Sequence, residues 1–249
     1  MIVLHTFGPF MGTADSSPFV MKAMMLLKLA RLDYREARGN PLRAPRGFLP
    51  LIEDDGQRIG DSTLIRWHIE RKYGVDFDAG LSQQQRAHAW AIERLCEDHL
   101  YFALLDFRWR DARNFANGLG KYMFSPIPAP VRPLVKRMMI GMNRKRLRGH
   151  GLGRHDGAVI AELARRDIAA LAAILGDKPW LMGDSPSGAD ATVYGLLAAI
   201  LIPELVSPVR DALRDEPRLV AYVERVTDQV FRAPTTPWAP APQLRVAVG

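Results

Sequence analysis

Only one cysteine, Cys96, occurs among 249 residues. A lone thiol excludes an internal disulfide framework and a cysteine-rich zinc site, and Cys96 reads as a small buried hydrophobe. No stretch reaches the roughly 18 to 20 apolar residues of a membrane span; Val193 to Pro203 is too short and runs into Glu204. No basic segment precedes Ile2-Val3-Leu4, so the start reads as a strand rather than a signal peptide, and residence in the cytoplasm is the expectation. The histidines show no helical i, i+4 pairing, and His150 and His155 flank a glycine-rich loop without carboxylates or thiols between them, so no metal site is expected. Gly149 to Gly153 lacks the Gly-Lys-Ser ending of a phosphate loop. Acidic residues are missing from Ala112 to His155, where ten Lys and Arg accumulate. Those ten exceed the whole net charge of +7, so the rest of the chain is net acidic. The basicity is local, which removes a whole-molecule argument for nucleic acid.

What remains is ordinary for a globular protein, with 48% apolar and 24% charged residues and ample length for a core. Ile2 to Thr6 reads as a short buried strand ended by Gly8-Pro9. Ser17-Pro18 opens a helix, Ser as N-cap and Pro at the first helical position, with Phe19, Val20, Ala23, Met24, Leu27 and Ala30 as its apolar stripe. A second strand follows Leu32-Asp33-Tyr34. Gly47-Phe48-Leu49-Pro50-Leu51-Ile52-Glu53-Asp54-Asp55-Gly56 then predicts a strand begun at Pro50 and a tight Asp-Gly turn, with a second short strand closing a hairpin before a helix opened by Ser62. A cis bond at Pro50 is a real option.

Val75 to Ser82 reads as a linker, and helical spacing of Ala87, Trp90, Ala91, Arg94, Leu95, Leu100, Ala103 and Leu104 predicts a long helix to about Phe115. Glycines 118 and 120 and the prolines at 126, 128, 130 and 133 interrupt it. Ala158 to Leu175 is a further helix stopped by Gly176. Ser187-Gly188-Ala189-Asp190 is a capping-box pattern ahead of Val193, Leu196, Leu197, Ile200 and Leu201 on one face. Pro217 starts a last helix through Phe231, and 233–249 is a Pro-rich tail expected to be extended. There is no internal repeat.

Phe48-Leu49-Pro50-Leu51-Ile52-Glu53-Asp54-Asp55-Gly56 followed by Gly60-Asp61-Ser62-Thr63 resembles the core motif of glutathione transferases, and within them the subgroup with metaxins and failed-axon-connections proteins. Together with the Ser-x-x-Asp cap, the resemblance covers about residues 1 to 80 and 155 to 232. It implies an α+β thioredoxin-like N-terminal domain over 1–76 and an all-α C-terminal domain over 83–232. The family's motifs name a superfamily and not a substrate.

By that resemblance, Pro50 is cis, Leu49 pairs through its backbone with the cysteinyl part of glutathione, and Asp61 and Ser62 hold the γ-glutamyl end. A helix N-terminus suits a carboxylate and Asp61 suits an α-amino group, although the same two residues can simply cap the helix. The family places a thiol-activating hydroxyl or thiol at the start of the first helix. Ser17 matches best and Ser16 second, since Cys96 lies elsewhere and no Tyr precedes Tyr34. Ser17 lies ten positions after Phe7, a longer connection than the family's short turn, and a plain N-cap is the competing role. The electrophile pocket is expected between the domains, with Phe102, Phe107, Arg108, Trp109 and Arg113 as candidates; Phe102, Trp109 and Arg113 are the principal three. Arg108, Arg110 and Arg113 can attract an anionic substrate or form a solvated face.

The resemblance therefore implies a dimeric transferase that uses glutathione as co-substrate against a small electrophile. Its rival is a non-catalytic binding or adaptor protein with the same fold, since metaxin-like relatives are linked to membranes and import. In Pro130 to Arg148, the apolar Val131, Leu134, Val135, Met138, Met139 and Met142 recur at helical spacing among basic residues. Such a helix can lie on an anionic membrane surface or pack on its own domain.

Overall fold

A computed structural model describes residues 1–124 and 127–232, apart from the Leu42 side chain. The Pro-rich tail expected over 233–249 lies outside the described residues. Four strands, β1 (Ile2–Thr6), β2 (Tyr34–Arg38), β3 (Leu51–Asp54) and β4 (Gln57–Gly60), form one sheet in the order β2-β1-β3-β4. β1 runs parallel to β2, with Ile2 beside Tyr34, and antiparallel to β3, with His5 beside Leu51. Asp55 and Gly56 join β3 to β4 with φ of 46° and 80°, the left-handed pair that a two-residue hairpin needs and that Asp-Gly tolerates.

Helix α1 (Pro18–Leu29) crosses from β1 to β2, and α2 (Ser62–Tyr73) follows β4, ending at Gly74 in the left-handed conformation. The rest of the described chain is helical: α3 (Gln83–Leu95), a π-helical turn (Cys96–Leu100), α4 (Tyr101–Trp109), α5 (Ala112–Asn117), α6 (Leu119–Tyr122), α7 (Arg132–His150), α8 (Gly157–Leu175), α9 (Gly188–Leu201), α10 (Pro208–Arg214), α11 (Pro217–Val226) and a closing π-helical turn (Thr227–Arg232). The expected long helix stops at Trp109, short of Phe115. Asp111 takes an extended conformation and its carboxylate accepts the Asn114 amide, which starts a new helix instead of continuing the old one.

Two expectations of one-sided helices fail for the same reason. α1 packs against α9 on one side and α2 on another, and α9 lies among α1, α3, α10 and α11, so both are buried nearly all round. The capping box forms: the Ser187 amide and hydroxyl both donate to Asp190 Oδ2 at 2.8 Å. Asp190 also accepts the Leu181 amide and the Tyr222 hydroxyl, so it ties the approach to α9 and α11 together. The six apolar residues of the basic segment divide. Val135 and Met139 turn inward on α7, while Val131, Leu134, Met138 and Met142 face out.

Candidate functional site

The loop between β1 and α1 is wound around one buried carboxylate. Asp15 Oδ2 accepts the amides of Phe7 at 2.8 Å and Gly8 at 2.7 Å, and Oδ1 accepts the Ser17 amide at 2.7 Å. Thr13 reinforces the winding by donating its hydroxyl to Phe10 O and Asp15 O. Burial pushes the Asp15 carboxyl up to about 7 against the downward pull of those three amides. The loop thereby delivers Ser17 to the α1 N-cap, where its Oγ accepts the Val20 amide at 3.4 Å. A serine oxygen that accepts at a cap still has its own proton to donate.

From the other side, Arg108 on α4 reaches across 92 residues of sequence to donate to Ser16 O at 2.8 Å, and to Ala199 O at 2.5 Å. It is wholly buried with its Nε unpaired, and burial lowers it to about 10. Carbonyl dipoles and the Phe10 face, 5.4 Å away, surround this cation.

The Leu49–Pro50 peptide is cis. Pro50 O accepts the Asp61 amide at 3.2 Å, and among the described residues neither the amide nor the carbonyl of Leu49 has a hydrogen-bond partner. Extending the β1–β3 register by two residues sets Leu49 opposite Phe7, whose amide rests on Asp15. Asp61 is the α2 N-cap at φ 85°, a conformation that costs a non-glycine residue about 1–3 kcal/mol. Its Oδ1 accepts the Thr63 and Leu64 amides, so two of the helix's free donors are already taken by the cap; Ser62, at the first helical position, is buried.

Between the first turns of α1 and the helical half lies a small cleft lined by Pro18, Phe19, Lys22, Glu97, Tyr101 and Thr192, among others. Its floor is an ion network. Lys22 Nζ sits 2.9 Å from Glu93, 2.7 Å from Glu97 and 3.4 Å from Thr63 Oγ1, which brings the start of α2 against α1. Arg66 joins Glu93 and Asp78 at 2.6 Å each and Glu70 at 2.8 Å. Burial alone would raise Glu93; Lys22 and Arg66 outweigh it and hold the carboxyl below its ordinary value. The rim is aromatic, with Phe19 against Tyr101 at 4.7 Å, Tyr101 against Phe102 at 5.4 Å, and the Arg146 guanidinium 5.4 Å over both of the latter rings.

Models of the glutathione S-transferase N-terminal and C-terminal domains match residues 18–114 and 164–226. An isoprene-epoxide glutathione S-transferase of Rhodococcus sp. (strain AD45) is 33% identical over 242 residues, covering 92% of this chain and 99% of that one. The chain belongs to the glutathione S-transferase family. The Failed axon connections protein of Drosophila melanogaster is 27% identical and metaxin-1 of Mus musculus 30%; the chain spans 58% and 63% of their lengths. In fold it matches glutathione S-transferase III in its apo form (TM-score 0.59, 17% identity, 96% of this chain and 99% of that one). The beta-etherase LigF from Sphingobium sp. strain SYK-6 gives the same TM-score at 15% identity, over 91% and 94% of the two chains.

Within this transferase fold the predicted site residues are distributed unevenly. Ser16 and Ser17 lie at the start of α1, where Ser16 is tied back to Gly8 beyond β1, while Leu49 and Pro50 precede β3 and Asp61 and Ser62 open α2, the Asp61 amide resting on Pro50 O. Phe102 reaches the cleft rim through Tyr101. Trp109 is 6% exposed in a separate aromatic cluster with Phe115 and Phe124. Arg113 is exposed on α5, beyond the helix break at Asp111. Cys96 is fully buried and burial pushes its thiol far up, which leaves it inert. Sequence reading missed Asp15, Lys22 and Tyr101 at the site. Lys22 carried a signal, since a lysine within an otherwise apolar helix needs a buried partner. Among the described residues no cluster of His, Cys, Asp and Glu could hold a metal, and no helix is long and apolar enough to cross a membrane.

Proposed function

We propose that the protein conjugates glutathione to a small electrophile at the cleft between α1, α4 and α9. What supports this reading is the unpaired Leu49 backbone just ahead of β3, with the Asp61–Ser62 helix start tied to Pro50 O and the Ser17 hydroxyl at the α1 N-cap. In this reading Leu49 pairs through its amide and carbonyl with the cysteinyl peptide, as a short antiparallel ladder. Asp61 meets the α-ammonium through the oxygen not used in capping, and Ser62 meets the adjacent carboxylate. Ser17 donates its proton toward the thiol sulfur, and with the N-terminus of α1 behind it favours the thiolate near neutral pH. The thiol proton leaves to water and the sulfur forms its bond to the electrophilic carbon.

An epoxide, the substrate class that names the Rhodococcus relative, suits a cleft whose rim carries the Tyr101 hydroxyl. As the carbon–oxygen bond opens, that hydroxyl can donate to the developing alkoxide. A homodimer in the cytoplasm is the assembly we propose.

Ser17→Ala removes the hydroxyl from both roles, and a fall in turnover without loss of glutathione affinity is the mark of the catalytic one. We expect kcat with a small epoxide or aryl halide to fall by about 10²-fold, while the KM for glutathione stays within about twofold. Unchanged turnover would remove Ser17 from the chemistry. The second reading, a non-catalytic binding or adaptor protein, draws on the capping geometry itself, because Ser17 and Asp61 both already serve their own helices. Retention on immobilised glutathione without turnover of any electrophile would decide for it.

A further inference from the structure

Helix α7 has two apolar stripes, and its own protein covers one of them. Val135, Met139 and Ile140 pack on the cluster around Trp109, where Leu147 is buried. Val131, Leu134, Met138 and Met142 turn away from it and are 47%, 71%, 53% and 56% exposed. Three or four residues separate successive members, so they form one line along the helix. At about 100° per residue, Lys145 extends that line and Arg137, Arg144 and Arg148 run down one flank of it. All four cations are exposed, and none forms a salt bridge among the described residues. No acidic residue lies between 112 and 155 to neutralise them.

We propose that this face of α7 lies on an anionic lipid surface. Leu134, Met138 and Met142 enter the boundary between headgroups and acyl chains, while Arg137, Arg144, Lys145 and Arg148 pair with lipid phosphates and carboxylates. A second copy of this chain is a poorer occupant, because a two-fold contact through the stripe sets the same arginines against each other. The proposal is independent of the glutathione reading, since none of these residues lines the cleft.

The full-length protein is sedimented with vesicles of phosphatidylcholine alone, and of phosphatidylcholine mixed with phosphatidylserine, at low and at high salt. The expected result is sedimentation with the anionic vesicles only, lost as salt rises. The pair Leu134→Ser and Met138→Ser lowers partitioning about tenfold, and Arg137→Gln, Arg144→Gln and Arg148→Gln together lower it roughly a hundredfold. All five positions are exposed, so circular dichroism and melting temperature should match wild type, and the wild-type salt series needs no variant at all. Absence of sedimentation at low salt overturns the proposal, as does equal binding to neutral vesicles. So does a serine pair without effect, which would reduce the contact to charge alone and hand the face to an acidic macromolecule. A dimer that becomes a monomer on Leu134→Ser would assign the stripe to a second copy and equally end the idea.

Discussion

Asp15 carries more structural consequence than any other residue of the N-terminal loop, because three amides from both ends of that loop converge on it. Its ordinary value of 3.8 becomes about 7 in the folded protein through burial. Between those two values the folded state holds a proton that the unfolded chain has released. Stability contributed by Asp15 is therefore full below about pH 4 and declines as pH rises toward about 7. Asp15→Asn should flatten that part of the pH dependence, seen as a smaller difference between urea midpoints at about pH 5 and about pH 7. An amide also presents an NH2 where the Ser17 amide needs an acceptor, so an overall loss of about 1–3 kcal/mol is expected. If the midpoint difference is the same in both proteins, Asp15 is not the group responsible.

Among elements, the contact of α1 with α9 sets the geometry of the cleft, and one glycine permits it. A Cβ at Gly195 would sit 2.5 Å from Pro18 O and 3.2 Å from the Lys22 amide, both of them backbone that cannot swing aside. Gly195→Ala should cost about 1–3 kcal/mol through overpacking. Because Pro18 follows Ser17, turnover should drop with it. Gly141, on the exposed side of α7 with open space around its missing Cβ, is the matched control. There Gly→Ala should stabilise by about 0.5–1 kcal/mol, since only the entropic cost of a helical glycine is removed. Thermal melts of the two variants moving in opposite directions would support this account, and a tolerated Gly195→Ala would refute it.

For the whole molecule, the decisive feature is the ion network that crosses between the sheet half and the helical half. Lys22 and Glu93 are each 1% exposed, so removing Lys22 takes the cation from one oxygen of a buried carboxylate whose other oxygen keeps Arg66. Lys22→Met should destabilise by about 1.5–3 kcal/mol, the worth of a buried hydrogen bond to a charged group. Wild type should unfold in denaturant as one transition by both tryptophan fluorescence and circular dichroism, whereas the variant's two probes should separate. Glu93 is held below its ordinary 4.5, so its contribution is complete above that pH and is lost only as pH falls through the lowered value. The division we propose between residues 1–76 and 83–232 is in this sense covalent rather than energetic. Coincident probes in Lys22→Met would show that the network does not couple the halves.

Much of the fold was legible because it is written in local chemistry. Pro50 at a strand start, Asp55-Gly56 in the turn, Ser17-Pro18 at a helix start and the Ser187–Asp190 box each act within a few residues, and short-range rules suffice for them. The hairpin and both helix starts followed from them, and the basic helix from the spacing of its apolar residues. Tertiary structure alone decided the rest. Periodicity marks residues as apolar without saying which find a partner, so α9 became central, Trp109 entered a second core, and the apolar residues of α7 divided between protein and solvent. Asp15, Lys22, Arg66 and Arg108 have partners from 2 to 92 residues away. Their burial depends on which elements meet, and no pattern within one element records that.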